Sequence, residues 1–209
     1  MGRSGQDARR MAELVAVVDL GSTAVRFLLA KIVPGSRYRV LVEERVPTRL
    51  GAGRPGILPR DAIDETLRAV HRFFPVLKDA WGPRVVAVAT SAVREARNRE
   101  RLLGPLRRRE GIDVRVLSAR DEARFGVYAA LDSLSFKDGV VADLGGASFQ
   151  LSRVRDRKVV SIASVPPRGG AHEQSLPPPR ATQATRAQAF RTRVRAQPRT
   201  LCLRPVAAR

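Results

Sequence analysis

The chain has 209 residues, enough for one or two domains, and 44% of them are hydrophobic, enough for a packed core. Its net charge of +19 points to polyanionic partners, while the single cysteine, Cys202, excludes an internal disulfide framework and suits a reducing compartment. No apolar run is long enough to span a bilayer, and residues 2–10 are polar and basic where a secretory segment would be apolar, so a soluble, cytoplasmic protein is expected.

Residues 1–12 carry no apolar period and read as a flexible leader. Strands are predicted at about 14–19, 25–32 and 38–46, with Pro34-Gly35-Ser36 as the second turn, forming an antiparallel meander. A Gly/Pro-rich loop over 48–56 leads into a helix from about residue 58 to Asp79. Its apolar stripe is Ala62, Ile63, Leu67, Val70, Phe73, Phe74 and Leu77. A buried strand at 84–90 switches at Thr90 or Ser91 to helix, which runs on to about Arg109. That helix start would offer N–H donors to an anion, with Arg94 beside it, or it is simply a capped surface helix. A strand at 113–117 and a helix over 118–134 follow, then strands at 139–144, 148–155 and 158–164. The order βββ-α-β-α-β-α and a new ββ unit implies an α/β lobe, a mixed sheet flanked by helices, followed by the opening of a second such lobe. The expected domains are 13–136, the first lobe, and 137–165, an incomplete second lobe whose cleft wall would be missing.

Two stretches share one plan. Val15-Ala16-Val17-Val18-Asp19-Leu20-Gly21-Ser22-Thr23 is a buried strand running into an aspartate, a glycine bend and short hydroxyls. Val140-Val141-Ala142-Asp143-Leu144-Gly145-Gly146-Ala147-Ser148 repeats it 124 residues on. A single such bend is an ordinary hairpin or a phosphate clamp; a pair could grip opposite ends of one phosphate chain. Asp121 and Glu122, in Ser118-Ala119-Arg120-Asp121-Glu122, either favour the helix dipole or, for Glu122, serve as a general base.

With those two bends, Ala89-Thr90-Ser91-Ala92-Val93-Arg94-Glu95-Ala96-Arg97-Asn98 and Leu117-Ser118-Ala119-Arg120-Asp121-Glu122-Ala123-Arg124 stand in the order found in Ppx/GppA proteins. Over about residues 13–165 the chain resembles that family of exopolyphosphatases and guanosine pentaphosphate phosphohydrolases, within the actin/Hsp70/sugar-kinase superfamily. The resemblance implies an RNase H-like, actin-type lobe and hydrolysis of terminal phosphate from inorganic polyphosphate or pppGpp. It makes Glu122 the base that activates water and gives Mg²⁺ to Asp143 and Asp19. It gives phosphate to Arg94 and to the bends Gly21, Ser22, Thr23 and Gly145, Gly146, Ala147, Ser148. It also allows a homodimer in full-length members. Two residues depart from the family pattern: Ala147 replaces a third glycine, and Gln150 replaces a glutamate, losing a charge.

Residues 166–209 differ in kind, with nine arginines, no lysine, Glu173 as the only acid and seven of the 14 prolines. Where the family would continue Pro-Leu-Gly-Ala-Val-Arg, this chain reads Pro166-Pro167-Arg168-Gly169-Gly170-Ala171-His172-Glu173. One base deleted from suitable GC-rich codons for the second string yields the first. The expectation is a disordered Arg/Pro-rich tail translated out of frame from about codon 167, in a chain of little or no turnover. The competing reading is a non-catalytic arm that binds RNA or polyphosphate.

Overall fold

A computed structural model of the chain describes residues 12–33, 38–81, 84–145 and 149–165. The leader up to residue 11, the turn at 34–36, Gly146, Ala147 and Ser148 of the second bend, and the tail with its reading-frame expectation lie outside the described residues.

The first three strands, β1 (Glu13–Leu20), β2 (Ala24–Ile32) and β3 (Tyr38–Pro47), form an antiparallel meander. The 22-residue helix α1 (Arg60–Trp81) carries the chain to β4 (Arg84–Ala89), which pairs parallel to β1. Two further helices, α2 (Ser91–Glu95) and α3 (Glu100–Glu110), precede β5 (Val114–Val116), parallel to β4. The sheet order β3-β2-β1-β4-β5 is the mixed RNase H-like arrangement expected of an actin-type α/β lobe.

Alternation decides which face is covered. Val18, Leu20, Val25, Phe27 and Leu29 are fully buried, and Phe27 stacks on Phe73 of α1 at a centroid distance of 5.0 Å. Leu77 of α1 and Leu102 and Leu106 of α3 complete this core. Gly111, at φ 66°, ends α3, and Ile112 N–H bonds back to Leu106 O at 3.1 Å. The helix expected to run from residue 91 to 109 is broken. At Ala96 the backbone is extended, Arg97 N–H bonds to Gly56 O at 2.9 Å, and the Asn98 amide clamps both Leu58 N and Leu58 O at 2.9 Å. These bonds to the 48–58 loop replace the helical ones.

The fourth long element, α4 (Ala119–Ser133), packs on a second sheet of β6 (Gly139–Leu144), β7 (Phe149–Arg155) and β8 (Lys158–Val165), an antiparallel meander in the order β6-β7-β8. Val127 and Leu131 of α4 meet Val154, with Val141, Phe136 and Val159 around them. At the C-terminal end of α4, Arg157 donates to Leu131 O at 2.8 Å and to Phe136 O at 3.2 Å. The opposite face of this sheet is open: Val140, Leu144 and Leu151 are exposed. Among the described residues no helix is long and apolar enough to cross a membrane.

Candidate active site between the two bends

At the first bend, Gly21 N–H bonds to Ala24 O at 3.1 Å, and a Cβ on Gly21 would sit 3.0 Å from that oxygen, a tight approach that glycine relieves. The carbonyls that follow are tied to the next loop. Ser22 O accepts from Gly51 N at 2.7 Å, and Thr23 O accepts from Thr48 N at 3.2 Å and Arg49 N at 3.0 Å. A trans peptide points its N–H away from its C=O, so the Thr23 N–H faces away from that loop. Gly21 N–H, expected to cradle phosphate, instead closes the bend. The buried Ser22 hydroxyl lies 3.2 Å from Ser91 Oγ, fastening the bend to α2.

Asp19, at the end of β1, faces Arg26 across the β1–β2 ladder. One carboxylate oxygen, Oδ1, is buried without a hydrogen-bond partner. Burial pushes its pKa above the ordinary aspartate value, Arg26 draws it back down, and the charge of Glu122 adds to the rise. The first two acidic elements of the site therefore sense each other.

Glu122 stands in the first turn of α4. Ser118 caps that helix: its hydroxyl accepts from Asp121 N–H at 3.0 Å and donates to Asp121 Oδ2 at 2.9 Å. Asp121 is thus a capping carboxylate, whereas Glu122 Oε2 accepts from Arg94 Nη1 at 2.7 Å. The same Arg94 nitrogen donates to Leu117 O at 3.0 Å, and Nη2 lies 3.8 Å from Glu95. With side chains 20% and 17% exposed, Arg94 and Glu122 form a half-sheltered pair. The N–H groups of Val93 and Arg94 bond to Thr90 O at 3.1 and 2.9 Å, and α2 has only five residues. Those two N–H groups are therefore spent within the turn, and Arg94 offers its side chain.

Asp143, near the end of β6, reaches over α4. Its Oδ2 lies 3.1 Å from the position a Cβ on Gly126 would occupy, one turn beyond Glu122. Asp19 thus feels the charge of Glu122, and Asp143 lies against α4 one turn beyond Glu122, with Gly145 exposed. Gly146, Ala147 and Ser148 are outside the described residues. Among the described residues no three His, Cys, Asp or Glu side chains converge tightly enough to enclose a metal ion. Asp19 and Asp143 offer only oxygen donors, the kind Mg²⁺ takes, and Asp19 Oδ1 has no hydrogen-bond partner.

The Ser22–Ser91 fastening, the Asn98 clamp and the role of Gly126 escape a reading of the sequence. Only Gly126 leaves a trace, as a glycine inside a helical pattern, which signals close approach. A cavity of about 390 Å³ lined by Asp138, Gly139, Val140 and the strand from Arg153 to Asp156 sits at the other end of β6, away from the carboxylates.

The description "Ppx/GppA phosphatase family" matches residues 28–203. Retrograde regulation protein 2 of Saccharomyces cerevisiae is 33% identical over 154 residues, covering 68% of this chain and 26% of that protein. Exopolyphosphatase 1 of Mycobacterium leprae is 26% identical over 156 residues, covering 73% of this chain and 46% of the relative. A crystal structure of the Aquifex aeolicus Ppx/GppA family member superposes with a TM-score of 0.65 at 31% identity, covering 75% of this chain and 52% of that one. The exopolyphosphatase from Cytophaga hutchinsonii gives a TM-score of 0.66 at 26% identity, with coverages of 74% and 50%. The chain spans about half the length of these relatives, and about a quarter of the yeast protein.

Proposed function

The chain belongs to the Ppx/GppA phosphatase family, and on that footing we propose that it carries the acid–base wall of a phosphoanhydride hydrolase acting on the terminal phosphate of inorganic polyphosphate. The 5′ phosphates of pppGpp offer the same chemistry and are the alternative substrate. The observation that carries the reading is the Arg94–Glu122 contact at 2.7 Å, beside a Glu122 whose charge Asp19 senses.

Phosphoryl transfer demands positioning and charge neutralisation more than covalent help. Arg94 supplies a planar, permanently charged fork for the phosphoryl oxygens. When a phosphate engages that fork, Glu122 Oε2 is released to take the proton of the attacking water. The Thr23 N–H and hydroxyl hold the phosphate on the other side, the Ser22 hydroxyl being spent on Ser91. Asp19 and Asp143 would hold Mg²⁺, which when bound offsets the negative charge of the phosphate chain.

Phosphate release from long-chain polyphosphate with Mg²⁺ tests the reading. Loss of the base should lower the rate by about 10²- to 10⁴-fold in Glu122→Gln. Release that survives that substitution within a factor of about ten sinks the assignment. The chain's net charge of +19 favours a second reading, a non-catalytic polyanion binder that uses the arginine-rich tail. Truncation after residue 165 separates the two: binding that vanishes with the tail, without any release by the whole chain, favours the binder.

A further inference from the structure

In the second hairpin Gln150 stands across the β6–β7 ladder from Asp143, at the position that Arg26 holds opposite Asp19 in the first. Arg26 is exposed. Gln150 is only 2% exposed, and neither its Oε1 nor its Nε2 has a hydrogen-bond partner. Cross-strand partners share a face, as do residues two apart on one strand. Gln150 therefore lies with Asp143, Ser152 and Val154 on the side of the sheet that α4 covers. On that side, where Asp143 Oδ2 passes Gly126, α4 presents no side chain above the carboxylate.

A buried primary amide that is satisfied at neither atom destabilises the fold, and methionine would fill the same space without that cost. What favours the amide is a ligand that uses it. Asp143 can only accept hydrogen bonds when ionised, and so can a phosphoryl oxygen. Nε2 is the donor that the pair Asp143–Gln150 has to offer, and it is neutral.

Resting on the reading of this opening as a phosphoanhydride site, we propose that Gln150 is a phosphate-binding residue. Its Nε2–H donates to an oxygen of the terminal phosphoryl group beside Asp143, and its Oε1 accepts from a water of that group's hydration shell. The second hairpin then holds phosphate through a neutral donor on β7, and this contact needs no divalent cation. A carboxylate at the same place would repel the phosphate unless a cation stood between them.

Calorimetric titration of the whole 209-residue chain with tripolyphosphate, with and without Mg²⁺, tests this. The variants are Gln150→Met and Gln150→Glu, each also followed by thermal unfolding without ligand; the tail's charge is common to all. Gln150→Met should lose about tenfold in affinity under both conditions, the worth of one hydrogen bond. Its ligand-free melting temperature should hold or rise. Gln150→Glu should lose affinity without Mg²⁺ and regain most of it with Mg²⁺. Wild-type-like affinity in Gln150→Met overturns the proposal while leaving the site's function standing. If Gln150→Met does not fold, Gln150→Glu decides alone, and wild-type affinity without Mg²⁺ overturns the proposal. Wild-type chain that binds no tripolyphosphate under either condition removes both this proposal and the phosphohydrolase reading.

Discussion

In the first hairpin Asp19 lies in the interior of a five-stranded sheet, faces a cation across the ladder and has its bend tied down by Gly51, Thr48 and Arg49. In the second, Asp143 ends an edge strand of a three-stranded sheet, faces a buried neutral amide and is itself exposed. The local pattern is one and the same; the electrostatics are opposite. Burial raises the pKa of Asp19 and so makes its charge costly, whereas Asp143 is exposed to water. A repeated motif therefore does not fix a repeated electrostatic environment.

The comparison breaks most visibly in packing. Phe73→Ala removes the ring stacked on Phe27 behind the first hairpin and should cost about 3–5 kcal/mol in denaturant unfolding. Leu144→Ser, on a side chain 81% exposed behind the second, should stay within about 0.5 kcal/mol of wild type. Equal losses at the two positions would mean that the second hairpin is as well covered as the first. A smaller effect concerns the loop that steadies the first bend. Asn98→Ala deletes two hydrogen bonds to Leu58 and should cost about 2 kcal/mol, with faster amide exchange at Leu58 N–H as its local signature.

The smallest expected effect sharpens the electrostatic contrast. Folded Asp19 keeps its proton to higher pH than unfolded Asp19, so in that window the native state binds more protons than the unfolded one. Its contribution is fully present below the unfolded pKa and is lost as pH rises through the folded pKa. In chelator-treated buffer Asp19→Asn should therefore melt a few degrees above wild type at pH 7, the gap closing below about pH 4. An Asp19→Asn chain that melts with wild type at pH 7 would remove the electrostatic cost assigned to the first bend.

The legible part of this protein was whatever repeats locally. Alternating burial in 13–32 and the 3.6-residue stripe of Ala62, Val70, Phe73 and Leu77 follow from side-chain periodicity, which the sequence carries directly. The break between α2 and α3 was not legible, because it depends on Asn98 meeting Leu58, 40 residues away. Nor was the bonding of Gly21 N–H to Ala24 O, a choice between two acceptors that only the closed bend settles.

By itself the sequence determined the strands, the two aspartate bends and the order of the motifs, since these rest on residue type and short-range spacing. Only the tertiary structure decided that Arg94 rests on Glu122, that Gly126 clears space for Asp143 and that Gln150 is buried opposite it. Each of those contacts joins segments that lie far apart along the chain or on facing elements. Distance through space, unlike periodicity, is set by packing the whole.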